Sequence, residues 1–206
     1  MIYNNRYLKE TAMPPKERIT EQAIVEASLS LVRAEGLAAL HARNVGKRLG
    51  CSVQPIFHKF SSMENLKEAV HLKANLLFEE HLNKGLGSHS IPFLGMGLAY
   101  INFARTEKEL FKFLFMSDKL PNQHVANLVS DEQNKPIVAI ISQMTGLDFQ
   151  KAEQIFLGIW LMVHGIASMM ATNECTLDEA QIETLLKHTF TGLKHEYEKE
   201  EQSNAH

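Results

Sequence analysis

At 206 residues and 45% hydrophobic composition, the chain can bury a sizeable core in one or two domains. Its two cysteines, Cys51 and Cys175, lie far apart and outside any C-x-x-C pair, which argues against a disulfide framework or a zinc site. The formal net charge of −3 hides an asymmetry that keeps nucleic acid among the partners: residues 1–66 hold nine Lys and Arg against six Asp and Glu, residues 67–206 twelve against eighteen.

Residues 1–17 carry Tyr3, Arg6, Tyr7, Lys9, Lys16 and the Pro14-Pro15 pair without sustained helical periodicity, and read as an N-terminal arm. Basic arms can enter a minor groove, and chain termini commonly fray. The first helix is then announced by Thr20, a good N-cap, with Ile19 before it and Ile24 after it spaced as a hydrophobic staple. Ile24, Ala27, Leu31 and Val32 repeat at helical spacing, and Gly36 is placed to end the helix in a left-handed turn.

From Gly36 to Met63 the pattern is that of a helix-turn-helix. The second helix runs from about Ala42 to Leu49, with His41 a poor cap and Gly46 either a position for close contact with the next helix or simply a tolerated glycine. Gly50 turns the chain, and Ser52 is the expected N-cap of a third helix with Pro55 in its first turn. Ile56 and Phe60, one turn apart, face inward, leaving Gln54, Pro55, His58 and Lys59 outward or along the rim. Between Glu35 and Glu64 there is no acidic residue, while Arg43, Lys47, Arg48 and Lys59 are basic. A phosphate backbone selects such a stretch. Gln54 suits adenine, Pro55 a thymine methyl, and His58 and Lys59 guanine or phosphate.

This stretch resembles the DNA-binding domain of the TetR/AcrR transcriptional regulators. The residues that carry the resemblance are Ala34-Glu35-Gly36-Leu37, Arg43-Asn44-Val45-Gly46-Lys47-Arg48-Leu49-Gly50, Ile56-Phe57-His58-Lys59-Phe60 and Ser62-Met63-Glu64-Asn65-Leu66. It covers about residues 18–70; beyond them the likeness is one of length and helical pattern. The resemblance makes Arg43, Ser52, Val53, Gln54, Pro55, Phe57, His58 and Lys59 the candidate DNA contacts. It also shows two departures, Phe57 where the family has a Tyr hydroxyl and Met63 where it has a Lys, each expected to remove one backbone contact.

A long helix from about Glu64 to Lys84 follows, its start marked by Ser61 and Glu64 at capping-box spacing and its inner stripe by Leu66, Val70, Ala74 and Leu77. Gly85, Gly87 and Ser88 mark a loop. Phe93, Tyr100 and Phe103 lie on the next helix, Phe111, Phe113, Phe115 and Met116 on another that Pro121 ends, and Pro136 and Gly146 bracket a further one. Residues 149–172 are apolar nearly all round, so that helix needs covering on both sides. The last helix, about Asp178 to Lys199, repeats Ile182, Leu186, Phe190, Leu193 and Tyr197 before a charged end expected to fray.

The expected fold is all-α: the arm (1–17), a three-helix helix-turn-helix domain (18–63) and a helical effector-binding and dimerisation domain (64–206). The resemblance implies that the last two helices pair with their mates as a four-helix homodimer interface. Tyr100, Phe103, Phe111, Met144, Phe156, Trp160 and His164 are the candidate ligand lining, mostly apolar with few polar handles; a core histidine and a packed stripe are the alternatives for these residues. No Ser stands in a G-x-S-x-G context and no His, Cys and carboxylate group has metal spacing. No catalytic residue, metal ligand or cofactor is therefore assigned, and no enzyme is expected. Apolar runs broken by polar residues, and an N-terminus without a signal-like core, point to a cytoplasmic chain with no membrane partner. The expected function is a TetR-type repressor bound to a palindromic operator in double-stranded DNA and released by a small, largely apolar effector. The alternatives are an effector-free or redox-controlled DNA binder, with Cys51 in the turn as the redox group, and a dimeric helical ligand-binding or interaction protein that reads no DNA.

Overall fold

Thr20 starts the first helix by accepting the Ala23 amide on its side-chain oxygen at 3.1 Å, which satisfies one donor that a helix start leaves open. Helix α1 (Glu21–Glu35) buries Ile24, Leu31 and Val32 as their spacing requires, with Ser28 and Leu29 beside them. Gly36 ends it at φ 79° and ψ 173°, so the expected left-handed turn is corrected to an extended, positive-φ conformation that only glycine adopts easily. A short 3-10 turn (Leu37–Ala39) leads to α2 (Ala42–Leu49), whose start at His41 has no side-chain cap. Asn44 compensates. Its side-chain amide donates to the Ala39 carbonyl at 3.0 Å and ties down the approach.

Gly50, left-handed at φ 67° and ψ 31°, turns the chain toward the six-residue α3 (Gln54–Lys59). The long α4 (Met63–Leu86) is capped by Ser62, whose Oγ accepts the Asn65 amide at 3.1 Å. The cap is thus one residue later than the Ser61–Glu64 reading had it. Leu66, Val70 and Ala74 form the buried stripe with Phe78, while Leu77 is only half-buried. Gly85 belongs to this helix and not to a loop, because α5 (Pro92–Thr106) crosses it there at backbone contact.

Helices α6 (Lys108–Phe115), α7 (Lys135–Thr145), α8 (Phe149–Thr172) and α9 (Glu179–Asn204) complete the order. The computed structural model describes residues 19–89, 91–117, 132, 134–172, 175 and 177–204; the arm and the expected stop at Pro121 lie outside the described residues. Pro136 in the first turn of α7 and Gly146 at φ 75° after it punctuate the chain as expected. Helix α9 continues five residues past Lys199. Its charged end is held by an ion pair between Lys151 Nζ and Glu201 at 2.7 Å.

Helix α5 is the centre of the body, packed against α4, α6, α8 and α9, while α7 lies on α8. By length and a mean hydropathy of 1.7, α8 could cross a membrane, which corrects the reading that no apolar run reaches that length. It packs instead on α5, α7 and α9, burying Ile155, Phe156, Ile159 and Val163. The three short N-terminal helices reach the body through α1, which lies on α4 and α6. Arg33 pairs with Glu107 at 2.8 Å across that junction. One apolar core runs through both parts, from Ile24 to Leu186, and each fully buried Leu, Ile or Phe in it contributes about 1.5–3 kcal/mol.

Candidate nucleic-acid interface and the ring cluster

The candidate reading surface is built on one buried side chain. Ile56 is completely buried and Phe60 packs partly against the same core, which fixes the roll of α3. Ser52, Val53, Gln54, Phe57 and His58 then stand exposed on the other side, with Pro55 and Lys59 at the rim and Arg43 exposed on α2. The structure therefore brings the eight candidate residues to the α2–α3 unit and leaves none in the core. Phe57 keeps 46% of its surface exposed and Val53 39%, so the outer side has apolar as well as polar character.

Local geometry departs from expectation at the start of α3. Val53, not Ser52, occupies the N-cap position, in a helical conformation (φ −71°, ψ −16°) and without a side-chain cap bond. Ser52 thus keeps its hydroxyl out of the helix start. Pro55 sits in the first turn, where its missing N–H removes nothing. Gly46 has a clearer role than close helix contact: a Cβ there would meet the Cys51 carbonyl oxygen at 2.9 Å, and the Cys51 amide donates to the Gly46 carbonyl at 2.9 Å. The glycine lets the turn fold back onto α2. Arg48 is drawn away from the outer surface by Ser30, whose hydroxyl accepts from Nη2 at 2.9 Å.

In the body, five of the seven candidate ligand residues, Tyr100, Phe103, Phe111, Trp160 and His164, are drawn into a packed set of rings, and Phe156 is buried on α8. Tyr100, Phe103, Phe111 and Phe156 are buried, and the Tyr100 hydroxyl shares a hydrogen bond with His164 Nδ1 at 2.9 Å. Trp160 stacks on the His164 ring at 4.9 Å with 7° between planes. Phe78, which the sequence pattern did not single out, is central: it meets Tyr100, Phe103 and Phe115 edge-on at 5.3, 5.2 and 5.0 Å. Its signal was present, since it follows Ala74 by one turn. Met144 is set apart, 44% exposed, lining a cavity of about 40 Å³ with Phe93 and Phe190. Burial holds the His164 imidazole below its ordinary pKa and pushes the Tyr100 phenol up, so both stay neutral around neutral pH.

Residues 93–193, which run from α5 into α9, match the family model for the tetracyclin repressor-like C-terminal domain. The chain belongs to the TetR family. No curated protein sequence matches it. Two solved structures share the fold of this TetR-type chain at low identity. One is a TetR-like transcriptional regulator from Rhodococcus sp. RHA1, with a TM-score of 0.58, 14% identity, and coverage of 87% of this chain and 96% of that one. The other is a TetR family member from Streptomyces coelicolor A3, with a TM-score of 0.57, 18% identity, and coverage of 84% and 98%. The chain is accordingly a regulator of TetR type, a family whose members bind DNA and form dimers. Its α8 and α9 expose Leu161, Met169 and Leu185, and at Gly165 and Gly192 an added Cβ would meet nothing.

Proposed function

We propose that this TetR-type chain is a homodimeric repressor that binds a palindromic operator through α3 and is released by a small effector. The observation that carries the reading is the outer side of α2 and α3: Arg43, Gln54, Phe57 and His58 exposed on a unit whose roll is set by buried Ile56. Residues 18–63 would form the reading head and residues 64–206 the body, with 1–17 a separate arm. Gln54 would read adenine, Val53, Pro55 and Phe57 would touch thymine methyls, and Arg43, Ser52, His58 and Lys59 would contact phosphate or guanine. The exposed apolar side chains on α8 and α9 support pairing with a second copy, and two-fold symmetry matches two half-sites.

Release would travel through α4, which packs on α1 in the head and on α5 and α6 in the body. A shift of α4 would change the separation of the two reading helices and misalign them with half-sites one turn apart. Weakening operator affinity a hundredfold needs about 2.7 kcal/mol of coupling. For the aromatic residues a second reading is favoured by their edge-on contacts: the rings fill the body with their own side chains, and the effector takes another place.

The test is fluorescence anisotropy on the duplex upstream of the chain's own gene, and on duplexes selected from a random pool, at two salt concentrations. Binding that is tight, salt-sensitive and resistant to nonspecific competitor is expected, with Arg43→Ala and Lys59→Ala weakening it and flattening its salt dependence. Failure to select any sequence from the pool would overturn the reading.

A further inference from the structure

A groove of about 430 Å³ opens where the C-terminal end of α4 crosses α5. It adjoins the ring cluster only through His81, which meets Phe103: Tyr100, Phe111, Phe156, Trp160 and His164 take no part in its lining. Two glycines set its depth. A Cβ on Gly85 would collide with the Ala99 side chain and stand 2.8 Å from the Gly95 carbonyl oxygen, and one on Gly95 would collide with the Gly85 carbonyl. The two backbones therefore touch without a side-chain cushion.

One side of the groove is apolar, formed by Leu98, Ala99, Ile101, Met170 and Ile182. The polar groups are mostly committed to one another. Lys84 pairs with Glu80 at 2.8 Å, and Glu183 holds both Lys187 and His89. Glu179 stands in the first turn of α9, where the helix dipole accommodates its charge. Arg105 differs. Its Nη2 donates to the neutral amide oxygen of Asn102 at 2.8 Å, and no carboxylate pairs with it among the described residues. A guanidinium oriented by a neutral partner keeps a fork of donors that fits a carboxylate. The half-buried His81, edge-on to Phe103 at 5.5 Å, adds a second polar group to the same groove.

We infer that this groove receives the effector, and that the effector is an amphipathic monocarboxylate. Its carboxylate lies on Arg105 with His81 beside it, and its apolar body covers Leu98, Ile101, Met170 and Ile182. A volume of about 430 Å³ falls within the range of small-molecule sites. The inference rests on the reading of the chain as an effector-controlled DNA binder and adds the site and the ligand class. It also links binding to release: a molecule seated at the glycine crossing bears on α5, and α5 bears directly on the α4 backbone.

The test is calorimetric titration of the full-length protein with sodium octanoate, and with 1-octanol as the uncharged control. Octanoate is expected to bind and octanol to bind more weakly by roughly tenfold or more. Arg105→Gln should cut octanoate affinity by roughly tenfold or more and leave octanol unchanged. Leu98→Trp should block both, and Trp160→Phe neither. Arg105 is exposed, so its variant decides the matter even if the tryptophan variant does not fold. The inference is overturned if octanoate, decanoate and 3-phenylpropionate all fail to bind at millimolar concentration. It is equally overturned if octanoate affinity is indifferent to Arg105→Gln, or is lost only in Trp160→Phe. Operator anisotropy without ligand reports on the head separately: DNA binding without carboxylate binding removes the groove assignment alone, and carboxylate binding without DNA binding removes the regulator reading alone.

Discussion

Two phenylalanines show how differently the two parts of this protein use the same side chain. Phe111 is completely buried in the body, edge-on to Tyr100 at 5.9 Å and against Phe115 at 4.9 Å. Phe57 in the head keeps nearly half of its surface in solvent on a six-residue helix held in place by Ile56. Burying a ring stabilises the fold, whereas a single exposed ring adds little to it and stays free to meet a partner. The body thus uses its aromatics for cohesion, and α3 leaves one open, as the proposed contact with DNA requires.

Four measurements would break or sharpen that contrast. The largest effect is expected from Phe111→Ala, which should lower unfolding free energy by about 3–5 kcal/mol in urea titrations. Phe57→Ala should stay within about 0.5 kcal/mol of the parent while weakening operator binding. Equal destabilisation by the two would erase the distinction. Next, Tyr100→Phe removes the hydroxyl that meets His164 and leaves that half-buried nitrogen without its partner, at a cost of about 1 kcal/mol by the same assay. An unchanged midpoint would mean that water replaces the hydroxyl.

An effect of similar size separates two serines. Ser62→Ala should cost about 1 kcal/mol through loss of the α4 cap, and Ser52→Ala, at a position that caps nothing, close to none. The smallest effect is a pH dependence. His164 has a folded pKa held below the ordinary 6.5 by burial, so as pH falls through about 6.5 the unfolded chain takes up a proton that the folded one refuses. Stability should fall from there downward and level off below the folded pKa. The drop is read as the difference in denaturation midpoint between parent and His164→Gln from about pH 7.5 to about pH 5. Trp160, stacked on that ring and the only tryptophan, supplies the fluorescence signal.

What could be read from the chain beforehand was what local chemistry dictates. Gly50, Pro55 and Gly146 each do in the structure what their backbone preferences require, and α2 and α8 have the boundaries that their patterns mark. The misplacements have a common cause. Ser61 and Ser62 are equally good caps by composition, and Ser52 lost its place when Val53 took a helical conformation, choices that packing makes and spacing does not. Gly85 reads as a loop residue until α5 is brought across it, and only then does its missing side chain become a contact. The groove was likewise invisible as a unit, and the ring cluster was legible in most of its members but not in its centre, Phe78, or in its close packing. Each is assembled from helices distant in sequence, and the number of aromatic residues does not say whether they enclose a space or fill it.

The junction between the parts has an engineering consequence. Arg33 on α1 meets Glu107 at the corner between α5 and α6, and a Cβ at position 36 would lie 2.7 Å from the Glu109 carboxylate. Head and body are therefore keyed to each other by a cation and a missing side chain at the end of α1. A chimaera that borrows its first three helices from a relative would inherit a mismatch unless it also kept an arginine at 33 and a glycine at 36, or replaced Glu107 and Glu109 along with them. Exchange of the proposed operator specificity should accordingly succeed when only the segment after Gly36, through α2 and α3, is replaced, and fail more often when α1 is replaced with it.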